Sequence, residues 1–175
     1  MKHIMIDIET LGREFHSDIV SIGAIEFDPE ENSLGRDFYQ VVSLEALPYI
    51  NTNTLRWWMQ QSEEARAVFK ETGQPIECSL TLLSQFILSV KQNQGIRIWS
   101  RGKMDIDILE HKYKMTNIQC PWEYNEVRDA RTFIDELTSY VPCFKFENEK
   151  AHNALSDAIY QASQINHIHQ YLRKI

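Results

Sequence analysis

Five side chains stand out by type and spacing: Asp7, Glu9, Asp105, His152 and Asp157. Gathered in one place, the four acids would offer oxygen ligands to a hard divalent cation, and an imidazole beside them titrates near neutrality. The first pair is the most legible. In His3-Ile4-Met5-Ile6-Asp7-Ile8-Glu9 the three isoleucines alternate with Met5, Asp7 and Glu9. Strand side chains repeat every two residues, so both acids leave the same face. Like charges on a core strand repel, and their burial is costly without a cation or hydrogen bonds to offset it. Thr10-Leu11-Gly12 follows at once, and its glycine can turn the chain. The pair therefore belongs at a sheet edge or crevice. Alone, Asp-x-Glu also arises by chance in an acidic chain, so its partners decide.

Asp105 comes after a short strand, Ile96 to Ser100, and a glycine turn at Gly102. Asp107 competes with it, and the spacing of aspartate, three residues and Leu109 favours Asp105. Either one, in isolation, could simply cap a helix or favour its dipole. Asp157 lies between Leu155 and Ala158, near the inward stripe of an amphipathic helix, where a carboxylate needs a partner. His152 is five residues earlier, roughly 140° away around a regular helix. Both can reach one centre only if His152 precedes the helix proper.

The elements that would position these residues follow from periodicity. Strands are expected at the N-terminus, over Asp18 to Phe27 and over Arg36 to Ser43, with Asp28 to Ser33 as a turn. Short connections make them an antiparallel meander. A helix begins near Asn51 or Thr52, where Trp57 and Trp58 stand about 100° apart, so one packs inward. Further helices are expected from Ser62 to Phe69, Ser79 to Lys91, Asp105 to Met115 and after a strand near Glu126 to Ala130. A closing helix runs from Asn153 to Leu172. This order predicts an α/β sandwich on a mixed sheet.

The chain as a whole sets limits. Its 175 residues suit one domain over 1–175, and 43% hydrophobic with 25% charged residues excludes disordered and fibrous classes. Apolar runs are too short to span a membrane and no signal peptide is evident, which predicts a cytoplasmic protein without a membrane partner. Cys78, Cys120 and Cys143 lack the close pairs of a structural zinc site and read as reduced, buried thiols. A net charge of −7 argues against a broad basic surface for long nucleic acid. It leaves room for a site that grips only a chain end, where bound cations invert the local charge.

Taken together, Asp7-x-Glu9, Asp105 after its glycine turn, and His152 with four residues before Asp157 resemble, in order, the three motifs of the DEDDh branch of the DEDD exonuclease superfamily. The resemblance covers residues 3 to about 165. The stretches Thr54-Leu55-Arg56-Trp57-Trp58, Trp99-Ser100-Arg101-Gly102, Pro121-Trp122-Glu123-Tyr124 and Arg128-Asp129-Ala130-Arg131-Thr132 are similar to a small bacterial and phage exoribonuclease-like branch related to phage exonuclease A. Met104 departs from the aromatic residue that commonly precedes the second-motif aspartate.

The resemblance implies an RNase H-like mixed five-stranded sheet, three antiparallel meander strands plus parallel strands, with helices on both faces. It implies two Mg²⁺ or Mn²⁺ ions held by Asp7, Glu9, Asp105 and Asp157, with His152 as general base. The implied activity is 3′–5′ hydrolysis of single-stranded RNA or DNA 3′ ends to 5′-mononucleotides, RNA before DNA. Thr10, Leu11 and Trp57 are the substrate-facing candidates, Leu11 as an apolar wedge against terminal bases and Trp57 as a stacking platform or a core residue. Arg128 and Arg131 either reach a phosphate or pair with carboxylates of the closing helix. A homodimer is compatible with the sequence. The rival reading is an inactive binding module on the same fold, against which the intact set of four acids and a histidine argues.

Overall fold

The computed structural model describes residues 1–44, 49–92, 95–141, 148 and 151–174. Its strands are β1 (Lys2–Thr10), β2 (Ile19–Asp28), β3 (Ser33–Val41), β4 (Ile96–Ser100) and β5 (Val127–Asp129). They form one sheet in the order β3-β2-β1-β4-β5. β1 pairs antiparallel with β2 and parallel with β4, and β2 pairs antiparallel with β3. β1 is therefore central, covered on both faces, which is why its residues are almost uniformly buried. Of the two expected positions for Asp7 and Glu9, the crevice at the end of a central strand is the one observed.

The helices are α1 (Thr52–Trp58), α2 (Glu63–Arg66), α3 (Ile76–Lys91), α4 (Met104–Met115), α5 (Ala130–Leu137) and α6 (Ala154–Leu172). Most begin at a recognisable cap. The Asn51 side chain accepts from the Asn53 and Thr54 amides, Ser62 from Ala65, Asp129 from Arg131 and Thr132, and Asn153 from Ser156. α3 starts earlier than its apolar stripe, because its first turn is largely solvent-facing and carries no periodic signal. β3 is displaced towards the N-terminus relative to expectation. Its first half is an exposed edge without alternation, and only pairing, as in Phe27 with Leu34, defines it.

Isoleucines 4, 6 and 8 pack beneath α3 and α4 on one side of the sheet. Met5 faces the other way, into a second core with α5 and α6, so Asp7 and Glu9 share the α6 side. A smaller core unites Leu11, Val20, Val41, Trp58, Ala65 and Val68. Cys78 and Cys120 are free thiols, but Cys78 is exposed in the open first turn of α3 and Cys120 only half-buried, a correction to the expectation of buried thiols. Cys143 lies outside the described residues. Among the described residues, no helix is long and apolar enough to cross a membrane.

Candidate active site

β1 delivers Asp7 and Glu9 to the crevice, and α6 descends on them from above. That approach depends on Gly23, which faces Asp7 in the β1–β2 register. A Cβ at Gly23 would lie 2.2 Å from the Ala154 carbonyl carbon and from the Leu155 nitrogen. Only glycine allows the first turn of α6 to rest on the sheet backbone. Asp157 is in that turn, and His152 stands just before the helix with φ of 66°. The left-handed backbone at His152 solves the problem of angular separation, since the residue is not on the helical wheel at all. Its amide donates to Asp157 Oδ2 at 2.9 Å. Ligand atoms of Glu9, His152 and Asp157 all lie within 4.8 Å of one another.

Asp105 arrives from the opposite side. Gly102, at φ of 95°, reverses the chain between β4 and α4. Ser100 Oγ donates to the Gly102 carbonyl at 2.6 Å, and the Gly102 amide donates to Asp129 Oδ1 at 3.1 Å. The turn sets Asp105 at 6% exposure. Asp107 points outward and pairs with Lys103 at 3.1 Å. Of the two aspartates, Asp105 is the one that faces the cluster.

All four carboxyls are pushed up in pKa, and burial is the largest cause for each. Glu9 rises to about 8, with Asp157 and Asp105 adding repulsion. Asp105 rises to about 7 despite the opposing pull of Arg131, with Asp157 contributing repulsion. Asp7 is raised well above the usual range, with Asp105, Glu9 and Asp157 adding to burial and only the Gln161 hydrogen bond, 2.8 Å long, opposing. Asp157 is raised less, because the His152 amide and the Asn148 side chain donate to it. Among the described residues these four repelling acids have no matching set of cationic partners. Divalent cations among their oxygens would supply one, so the donor set fits such ions.

The cluster opens into a cleft of about 720 Å³ whose walls include Glu9, Thr10, Trp57, Asp105, Arg101 and Arg131. Trp57 is 39% exposed and its ring meets His152 edge to face, with centroids 4.8 Å apart. Trp58 is the inward member of the pair, 1% exposed, and donates to the Thr10 carbonyl at 2.9 Å. Leu11 is 3% exposed, packed in the small core against Trp58, and is not part of the cleft wall. The two arginines of the sequence reading separate. Arg128 donates to the Asn125 and Val127 carbonyls, each at 2.7 Å, and Arg131 lines the cleft near Asp105. Neither forms an ion pair with α6 among the described residues.

Sequence reasoning missed Gln161, Gly23, Asn148 and Arg101. Gln161 lies four residues after Asp157 and thus on the same helical face, a signal that was there to use. Gly23 had no local signal.

A model of the 3′–5′ exoribonuclease Rv2179c-like domain matches residues 2–169. The chain belongs to that family. This is the 3′–5′ exonuclease class implied by the resemblance of its motifs. None of the curated proteins matches the chain in sequence. Solved structures share the RNase H-like exonuclease fold. Cell-death related nuclease 4 (CRN-4) superposes with a TM-score of 0.68 at 14% identity, over 97% of this chain and 64% of that one. The nuclease domain of 3′hExo, a DEDDh family member bound to rAMP, gives 0.66 at 11%, over 99% and 92%. The zinc-bound E. coli ExoI–ssDNA complex gives 0.72 at 13%, over 99% of this chain and 41% of that one. The chain thus spans less than two thirds of CRN-4 and about two fifths of ExoI.

Proposed function

We propose that this member of a 3′–5′ exonuclease family hydrolyses single-stranded nucleic acid from its 3′ end, RNA in preference to DNA, and releases 5′-mononucleotides. One observation carries the reading: Glu9, His152 and Asp157 converge within 4.8 Å, beside Asp7 and Asp105, and Glu9 and Asp105 line a cleft whose walls include Trp57 and two arginines. Asp7, Glu9, Asp105 and Asp157 would hold Mg²⁺ or Mn²⁺, two ions by our reading. When bound, such ions supply Lewis acidity to the phosphate and stabilise the attacking and leaving oxygens.

The chain's own residues account for the rest. The His152 imidazole takes the proton of the attacking water, a role suited to a ring at the edge of the acid cluster. Its position is held by the backbone bond to Asp157 and by the edge of Trp57. Arg101 and Arg131 offer guanidinium donors to phosphate oxygens. The exposed face of Trp57 stacks a terminal base, a contact of roughly 1–3 kcal/mol whatever the sequence. The inactive-module alternative is disfavoured, since a binding domain gains nothing from four mutually repelling buried acids. The free thiols of Cys78 and Cys120 accord with action in the cytoplasm.

The test is a time course with 5′-labelled RNA and DNA oligonucleotides of one sequence, with EDTA, Mg²⁺ or Mn²⁺. Shortening from the 3′ end with either metal, faster on RNA, is expected. Undiminished cleavage in excess EDTA, or equal attack on a circular single strand, would sink the mechanism.

A further inference from the structure

Four aromatic rings gather on the far side of the β1–β2 loop, away from the acids. Phe15 is 59% exposed, and it meets His16 and His111 edge to face at 5.0 Å each. His16 in turn meets Tyr49 at 4.6 Å. Among the described residues Phe15 belongs to none of the three cores. The loop is nonetheless pinned. The Leu11 amide donates to the Asp18 carbonyl at 2.9 Å, and Glu14 accepts from the Arg13 amide at 3.0 Å and from the Asn51 side chain at 3.3 Å. The rings are thus presented on a fixed ledge.

That ledge joins two clefts. Gly12 and Arg13 line the catalytic one, while His16, Tyr49, His111 and Lys112 line a second of about 700 Å³. α4 runs beside the loop, with Asp105 in its first turn and His111 six residues further on. At about 1.5 Å per residue this is ~9 Å along the helix axis, with His111 roughly 120° around from Asp105, so a strand touching both must pass over the loop. Cations stand close by, although the chain carries a net charge of −7. The charged groups acting on His111, after the effect of burial, are Lys112, His16 and Lys114. Lys112 is held by Asp18 at 2.6 Å and Glu77 also lines this cleft, so the cations left to meet an anion are Lys114 and, on the catalytic side of the loop, Arg13, neither of which forms an ion pair among the described residues.

We propose that Phe15, His16 and His111 form a stacking platform for bases upstream of the scissile bond, so that a single strand is gripped across the β1–β2 loop as well as at its 3′ terminus. This rests on the reading that the cleft takes a single-stranded 3′ end. Exposed rings accept any base face, and cationic neighbours meet the phosphates between. The consequence is length dependence: a dinucleotide fills the catalytic cleft alone, whereas a longer strand also reaches the platform.

The experiment measures fluorescence anisotropy of labelled oligoadenylate, dinucleotide and dodecanucleotide, in Ca²⁺ buffer, for the wild type, Phe15→Ala, Phe15→Tyr and His111→Gln. Turnover of both lengths is followed in Mn²⁺. Phe15→Ala should weaken dodecanucleotide binding roughly 5–150-fold, the effect of losing one base stack, while dinucleotide turnover and the melting temperature stay unchanged. Phe15→Tyr should restore binding, and His111→Gln should weaken it on its own. If neither variant alters dodecanucleotide affinity, the platform is wrong and the rings serve some other partner, such as a protein. Equal losses for both lengths would also overturn it. A wild type that binds and trims the dodecanucleotide while the variants match it removes only the platform; a wild type that binds neither oligonucleotide removes the nuclease reading with it.

Discussion

Gly23 and Ala154 meet backbone to backbone, a Cβ on Gly23 falling 2.2 Å from the Ala154 carbonyl carbon. The contact sets the height of α6 above the sheet and hence the distance from Asp157 to Asp7 and Glu9. Gly23→Ala should lift the helix start, lowering turnover about 10²-fold through ~1 Å of misplacement and stability by roughly 1–3 kcal/mol. Gly35→Ala is the control, because there the added carbon meets only the flexible Glu26 side chain, at 3.0 Å or more. Similar kinetics for the two variants would refute this account of Gly23.

Asp105 and Asp107 can be told apart by neutral substitution. Asp105→Asn removes a buried acid of the cluster and should reduce turnover at least ~10²-fold with weaker Mn²⁺ binding by calorimetry. Asp107→Asn loses only a surface pair with Lys103, so stability should change by less than about 1 kcal/mol, with turnover near wild type. The reverse ranking would transfer the role to Asp107.

Without metal, the site should make folding less stable as pH rises. Glu9 at about 8 and Asp105 at about 7 keep protons that their unfolded forms release near pH 4. Through that window the unfolded state binds fewer protons, so stability falls with increasing pH. His3, lowered to about 4, acts in the opposite sense but has finished titrating in both states well above pH 6.5. Melting of cation-free protein at pH 7 and 8.5 therefore reports mainly on the acids, because only the tail of the unfolded-state histidine titration remains at pH 7. A loss of ~1–3 kcal/mol, roughly 3–10 °C, is expected at the higher pH, with recovery on adding Mg²⁺ or Mn²⁺. A melting temperature that holds or rises, metal-free, would contradict the electrostatic picture.

His152 and Asp157 should separate by pH as well. Replacing the proton acceptor, in His152→Ala, should lower turnover roughly 10²–10⁴-fold and leave much of the metal affinity in place. Alkaline buffer should rescue it in part, since hydroxide no longer needs a base. Asp157→Ala should lose metal affinity and show no such rescue. Wild-type turnover in His152→Ala at neutral pH would strip the histidine of its role.

What the chain carried in its own order was the material of the site. Alternation placed Asp7 and Glu9 on one strand face, Gly102 marked the turn before Asp105, and the apolar stripe after Asn153 exposed Asp157 as an acid in the wrong place. Such signals are local, and they put β1, β4, α4 and α6 within a residue or two of where they occur. Pairing and packing decided the rest. That Gly23 must be glycine follows from its register with Asp7 and from a helix more than a hundred residues later resting on it. Leu11 was an apolar residue in the right region, yet the core beneath α1 claims it while Trp57, next to buried Trp58, faces the cleft. Arg128 and Arg131 share a motif and a charge, and only the turn into α5 sends one to the Asn125 and Val127 carbonyls and the other to the cleft wall, where its charge acts on Asp105. Periodicity reports which face of an element is apolar; what that face meets depends on long-range contacts, and those alone set the distances on which the chemistry rests.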